Sequence, residues 1–105
     1  MSAVCRYSNG AHLYDITPVE NLFIEEYLPG APGDFVKVYL YGLMQCKSPY
    51  PQEPDAFFRA LNLPEDLVLR AFYYWQRQGI VMVRGTAPLD VEYLNIKFQL
   101  GQPVQ

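Results

Sequence analysis

The residues of this 105-residue chain that could perform catalysis do not have the spacing of a catalytic set. His12 is the only histidine, and no nucleophile accompanies it in the surrounding sequence pattern. Glu25 and Glu26 are adjacent, and neighbours on a helix point about 100° apart, so they are not arranged as an acid–base pair. The same argument applies to Glu65 and Asp66. We therefore predict a protein that is not an enzyme and has no catalytic residue.

The sequence also offers no site for a metal or cofactor. Cys5 and Cys46 lie far apart and match no metal-ligand spacing, which favours two free thiols in a reducing compartment. The stretch 30–33 contains two glycines but follows no predicted strand, so it indicates a helix breaker and not a phosphate loop. We expect no metal, no cofactor and no small-molecule substrate.

Composition and charge narrow the class of protein. With 50% hydrophobic and 15% aromatic residues, the chain suits one globular domain with one core and some aromatic surface to spare. Its net charge is −3, whereas a free-standing DNA-binding domain is usually basic. No stretch approaches the ~20 apolar residues of a membrane span, and no signal peptide is evident. We expect a cytoplasmic protein with no membrane partner.

The N-terminal part of the chain predicts a strand followed by a helix. Residues 1–10 are expected to be a flexible N-terminus, and a short strand is expected within 12–16. Thr17 and Glu20 have the spacing of a capping box. With Pro18 at the first helical position, a helix is predicted from there to residue 27 or 28.

The next predicted helix, over 35–46, is apolar nearly all round. Asp34 is its expected N-cap, and Lys37 is its only charged residue. A helix of this composition is buried on several sides. In so short a chain, a second subunit can cover one of these sides of the helix.

The C-terminal part of the chain predicts two helices and a hairpin. Asp55 is predicted to cap a short helix through residue 61. A longer helix over 64–78 has an apolar face formed by Val68, Ala71, Phe72 and Trp75. Tyr73 and Tyr74 are predicted on its other face, together with Arg70 and Arg77. Gly79 is expected to end this helix in a left-handed conformation. Strands are predicted over 80–84 and 91–98.

A short helix, a longer amphipathic helix and a hairpin in this order predict a winged helix-turn-helix. The predicted fold class is α+β, mostly α with a β-hairpin wing and an N-terminal strand–helix extension. We expect this domain to occupy residues 11–100. Residues 101–105 are expected to be a tail or a linker to an absent C-terminal domain.

Residues 17–46 and 61–81 together resemble the N-terminal domain of the DnaD family of bacterial replication-initiation and primosome proteins. The resemblance rests on Asn-x-Phe-Ile at 21–24, Tyr-Leu-Pro at 27–29, Lys-Val-Tyr-Leu-Tyr at 37–41 and Tyr-Trp-x-x-x-Gly at 74–79. It implies a winged helix whose N-terminal extension mediates dimers and tetramers, and a role in loading the replicative helicase. A separate C-terminal domain carries much of that family's DNA binding, and nothing in this chain resembles it.

The resemblance and the surplus of apolar residues predict a self-association interface, in a homodimer or homotetramer, on the N-terminal extension. The residues expected in it are Leu13, Tyr14, Ile16, Phe23, Ile24, Tyr27 and Tyr39. The alternative is a monomer whose aromatic residues all pack internally.

DNA is the other candidate partner, because a winged helix places the exposed face of its second helix in the major groove. Here the first turn of that helix carries Glu65 and Asp66, which repel phosphate. The side chains available for DNA contact are Arg59, Arg70, Tyr73, Arg77 and Arg84. We expect weak DNA contact, and favour a non-catalytic oligomerisation and protein-interaction module that binds itself and other replication-initiation proteins. The alternative is a winged-helix DNA-binding transcriptional regulator.

Overall fold

The computed structural model describes residues 2–4, 16–46 and 56–96. In these residues the helical segments come first: a π-helix Phe23–Tyr27, α1 (Gly33–Gln45), α2 (Ala56–Leu61) and α3 (Glu65–Arg77). An antiparallel hairpin of β1 (Val81–Thr86) and β2 (Leu89–Tyr93) follows. This part of the chain is an α+β fold, as the sequence predicts. None of its helices combines the length and apolarity that crossing a membrane requires.

Several sequence predictions lie outside the described residues. They include the strand expected within 12–16 apart from Ile16, which has no regular secondary structure. They also include most of the N-terminal segment 1–10, the cap at Asp55 and the tail 101–105.

The first helix begins later than the capping box predicts, so the prediction of a helix from Pro18 is wrong. Residues 16–20 have no regular secondary structure, and the carbonyl of Glu20 accepts the N–H of Phe23 at 3.0 Å. The chain then forms a π-helix, which the N–H of Leu28 closes by donating to the carbonyl of Phe23 at 2.9 Å. Phe23 is completely buried, and Val19 packs against the same core. Burying both side chains outweighs a local cap of about 1 kcal/mol.

Helix α1 has nearly the predicted bounds, but its cap differs. Pro32 precedes it, and the carbonyl of Pro32 accepts the N–H groups of Phe35 and Val36 at 3.0 and 3.1 Å. Asp34, the predicted N-cap, lies instead within the first turn. There the positive end of the helix dipole still favours its carboxylate.

Most of the apolar surface of α1 is covered within the subunit. Val38 and Tyr39 are buried, and Met44 is the most exposed of its apolar side chains at 43%. The Tyr93 hydroxyl donates to the carbonyl of Tyr39 at 2.9 Å. A Cβ at position 42 would overlap this hydroxyl, so Gly42 allows β2 to approach α1 closely.

Helix α3 packs on α1 through the face that its periodicity predicts. Its buried residues are Val68, Ala71, Phe72 and Trp75. The Trp75 indole Nε1–H donates to the carbonyl of Phe35 at 2.8 Å, which joins the two helices. Tyr74, predicted on the exposed face, is half-buried, with its ring centroid 5.3 Å from that of Phe35. That part of the prediction is wrong because α1 covers a wider arc of α3 than one apolar stripe.

The chain passes from α3 into the hairpin through Gly79, whose φ of 86° confirms the predicted left-handed end. The strands are shifted relative to prediction. β1 extends to Thr86, so part of the predicted loop over 85–90 is strand, and β2 ends at Tyr93 instead of continuing towards 98. Beyond β2 the chain leaves the sheet, and this turns Ile96 into the core, where it is 2% exposed.

Candidate functional site

The residues proposed for DNA contact do not form one open cationic surface. In α3, Nη2 of Arg70 lies 3.6 Å from Oδ2 of Asp66, one helical turn earlier. In the hairpin, Arg84 pairs with Glu92, with Nη2 at 2.5 Å and Nε at 3.1 Å from the same carboxylate oxygen. All of these side chains are exposed, and each carboxylate competes with phosphate for its arginine.

The remaining members of that set are spread over α2 and α3. Arg77 lies in the last turn of α3 and makes no ion pair with a described residue, and Tyr73 is 39% exposed. Arg59 is exposed at the end of α2. The first turn of α3 presents Glu65 and Asp66 to solvent, as the sequence predicts. The face of α3 is therefore of mixed charge.

Phe23 and Tyr39 were predicted in the self-association interface, and the structure places them in the core. Their side chains are 0% and 3% exposed. Their rings stack with centroids 4.3 Å apart, and both lie close to Trp75, at 5.4 and 5.3 Å. A side chain without exposed area cannot contact a second subunit, so the prediction was wrong for these two residues.

The other predicted interface residues that the structure describes do reach the surface. Ile16 is 50% exposed and Ile24 is 46% exposed, while Tyr27 is half-buried. Leu13 and Tyr14 lie outside the described residues. Among the predicted interface residues that the structure describes, Ile16 and Ile24 therefore present the most apolar surface that a partner could cover.

An apolar groove near this segment was missed by sequence reasoning. We call it the α1 groove. It encloses about 410 Å³ and is lined by Thr17, Val19, Lys37, Leu40, Tyr41, Met44 and Leu61. Lys37, Leu40, Tyr41 and Met44 follow the spacing of one helix face. That signal was present in the sequence, but the apolar residues on the other faces of α1 concealed it.

A second cleft, which we call the β2 cleft, lies where α1 ends beside the hairpin. It has a volume of about 220 Å³ and is lined by Gly42, Gln45, Cys46, Phe57, Phe72, Leu89, Val91 and Tyr93. The Oε1 atom of Gln45 is buried and has no hydrogen-bond partner among the residues that the structure describes. Sequence reasoning could not find this cleft, because its walls come from α1, α2, α3 and β2.

The titratable groups near these surfaces are poor candidates for catalysis. Burial raises the pKa of the Tyr39 and Tyr93 phenols far above its usual value, so both stay neutral. Partial burial also raises the pKa of the Cys46 thiol, which disfavours the nucleophilic thiolate. Among the described residues, no group of three or more His, Cys, Asp or Glu side chains could hold a metal ion.

Comparison of the chain with models of protein families, with curated proteins and with solved structures yields no match.

Proposed function

We propose that this chain is a non-catalytic oligomerisation and protein-interaction module of a DnaD-like replication-initiation protein. In this proposal the fold is a winged helix-turn-helix, in which α2 and α3 are the two helices of the motif and β1 and β2 form the wing. The order of these elements and the direct passage from α3 into β1 at Gly79 support it.

The packing of the DnaD-like motifs supports the same proposal. Phe23 of Asn-x-Phe-Ile, Tyr39 of Lys-Val-Tyr-Leu-Tyr and Trp75 of Tyr-Trp-x-x-x-Gly form one aromatic cluster, with centroids 4.3 to 5.4 Å apart. Motifs that are distant in sequence thus share one structural role.

The observation that carries the self-association proposal is the exposed apolar surface of residues 16–24. Ile16 and Ile24 are about half exposed, and Thr17 and Val19, between them in sequence, line the α1 groove. Fully burying an isoleucine stabilises by about 1.5–3 kcal/mol relative to exposure, so covering half of one contributes about half of that. In a two-fold symmetric interface each such contact occurs twice.

Assembly is the proposed mechanism. Joining copies through the N-terminal side brings attached DNA-binding segments together, and this raises their effective concentration without new contacts to DNA. The ion pairs of Arg70 and Arg84 agree with a module that does not itself bind DNA strongly.

The alternative is a winged-helix DNA-binding transcriptional regulator. The observation that favours it is Arg77, which is exposed on α3 and makes no ion pair with a described residue. Against it are Glu65 and Asp66 in the first turn of the same helix, since that turn would lie nearest the bases.

Light scattering of the wild-type chain and of matched variants tests the proposal. We expect a dimer or tetramer at micromolar concentration, and a shift to monomer for Ile24→Lys, because the lysine would place a charge in the interface. Met82→Lys is the matched control: Met82 is 37% exposed, but it lies in the hairpin. A monomeric wild type at high micromolar concentration, or equal effects of the two variants, would refute the proposed interface.

A further inference from the structure

We propose that the outer edge of β2 is a docking site for an extended basic peptide, which adds to the hairpin as a third strand. The β2 cleft beside this edge shares no lining residue with the α1 groove. The proposal invokes no contact between copies of the chain, so its test does not require self-association.

The hydrogen bonding of the hairpin shows which backbone groups point outwards. The N–H of Leu94 donates to the carbonyl of Ile80 at 3.0 Å, which is one of the two hydrogen bonds of a bonded pair, whereas the Ile80 N–H donates to the carbonyl of Trp75 at 3.2 Å. Bonded and non-bonded pairs alternate between antiparallel strands, so the Met82 and Glu92 pair is the next bonded one. Up to the register shift that follows Val83, the residues whose N–H and C=O groups point away from the opposite strand are then Val81, Val83, Val91 and Tyr93.

The outer edge of β1 is closed by a side chain from α3. The N–H of Val83 donates to Oε1 of Gln76 at 2.7 Å. An added strand would have to displace this amide before it could pair with β1. Covering an edge in this way is one of the means by which proteins prevent unwanted strand pairing.

Among the described residues, nothing closes the outer edge of β2 in this way. Outside the hairpin, no described residue forms a hydrogen bond with the N–H or C=O of Val91. An extended peptide laid along this edge gains main-chain hydrogen bonds, the interaction that gives strand addition its affinity. Within the part of the chain that the structure describes, the hairpin therefore has one closed edge and one open edge.

The β2 cleft supplies the pocket that strand addition uses for specificity. Val91 and Tyr93 line the cleft together with Gln45, so inward-pointing side chains of an added strand would lie beside it. The buried Oε1 of Gln45 lacks a donor among the described residues, and an unpaired buried acceptor costs free energy. After a rotation of the Gln45 side chain that brings Oε1 to the surface of the cleft, a threonine or asparagine at the inward position of the peptide would supply that donor.

The charges beside the edge favour a basic partner. Asp90 and Glu92 flank Val91 in β2, and both are exposed. Glu92 already pairs with Arg84, whereas Asp90 has no ion-pair partner among the described residues. A lysine or arginine of the added strand that lies opposite Asp90 would form a favourable cross-strand pair.

The same acids argue against a second copy of this chain as the occupant. Antiparallel two-fold pairing of β2 about Val91 would place Asp90 opposite Glu92 of the partner subunit. If the two-fold axis passed beside Asp90 or beside Glu92, that carboxylate would lie opposite the same residue of the second subunit. Like charges directly opposite each other destabilise a sheet, so the edge disfavours self-pairing and accepts a basic strand.

The test is an NMR titration of the full chain with a short capped peptide in which lysine alternates with threonine. Matched probes carry glutamate for lysine, valine for threonine, or N-methyl groups on the residues that would bond to β2. We expect slower hydrogen exchange at Val91 and Tyr93. The lysine probe should bind about 1.5- to 5-fold more tightly than the glutamate probe for each cross-strand charge pair. The N-methylated probe should not bind.

Two variants separate the contributions of charge and cleft. Asp90→Lys should reverse the preference for lysine over glutamate, and Gln45→Met should abolish the preference for threonine over valine while the preference for lysine remains. Four results would overturn the proposal: no response at Val91 and Tyr93 with millimolar lysine probe, equal binding of the N-methylated probe, concentration-dependent protection of these amides without peptide, or their protection by duplex DNA.

Discussion

Replacing Gly42 by alanine tests how closely α1 and β2 approach each other. Helix propensity alone predicts stabilisation, because glycine in a helix interior costs about 1 kcal/mol relative to alanine. The tertiary structure predicts the opposite. The added methyl group would overlap the Tyr93 hydroxyl, would lie 3.0 Å from Cζ of that ring and would lie 3.4 Å from Cζ of Phe72.

The net effect of Gly42→Ala follows from opposing terms. Moving the Tyr93 ring breaks its hydrogen bond to the carbonyl of Tyr39, a loss of about 0.5–1.5 kcal/mol. Overpacking costs about 1–3 kcal/mol more. After the gain in propensity, we expect the variant to be destabilised by about 1–3 kcal/mol, which for a domain of this size lowers Tm by roughly 4–8 °C per kcal/mol.

Thermal and urea unfolding followed by circular dichroism measure this change. Gly33→Ala is the matched control, because it changes a glycine of the same helix around which a Cβ meets nothing within 4 Å. In a Tyr93→Phe background, which removes the overlapping hydroxyl, Gly42→Ala should cost less than in the wild type. If Gly42→Ala instead raised Tm, the close approach of α1 and β2 would be refuted.

Three further predictions concern pH, the end of α3 and DNA. The pKa values of Tyr39 and Tyr93 are raised from 10.0, so the stability that these two phenols contribute should be constant below pH 10. Their contribution should decline at higher pH, because tyrosine then ionises first in the unfolded chain. Measurement of Tm against pH checks this, and Tyr93→Phe should flatten the decline above pH 10. Gly79→Ala should destabilise by about 1 kcal/mol or more in urea unfolding because of its positive φ, and an unchanged midpoint would contradict this. Duplex DNA should bind weakly at about 150 mM salt, and fluorescence anisotropy showing nanomolar affinity that Arg77→Ala weakens would favour the regulator.

Local signals in the sequence were enough to predict α3 and its end. The spacing of Val68, Ala71, Phe72 and Trp75 gives the buried face at 3.6 residues per turn, and Gly79 is the residue type that tolerates the left-handed conformation after it. These features depend on residues close together in the chain. The same holds for Glu65 and Asp66 in the first turn of α3, which determine the charge of that surface.

The interface residues and the first helix could not be predicted in the same way. Phe23 and Tyr39 belong to apolar segments, and such a segment suits a core and an interface equally well. Only the position of Trp75, more than 30 residues further along the chain than Tyr39, places their rings in the core. The capping box at Thr17 failed for a similar reason, because the burial of Val19 and Phe23 outweighs a local cap.

The sequence by itself determined the order of α1, α2, α3 and the hairpin, where α3 ends and that the surface of its first turn is acidic. The tertiary structure alone decided which apolar residues remain exposed, that Gln76 closes one edge of the hairpin, and that Oε1 of Gln45, beside the other edge, has no hydrogen-bond partner among the described residues. The physical reason is the separation along the chain over which each interaction acts. Helix periodicity and turn chemistry act over a few residues, whereas burial and the closing of a strand edge depend on side chains that the fold brings together from distant parts of the chain.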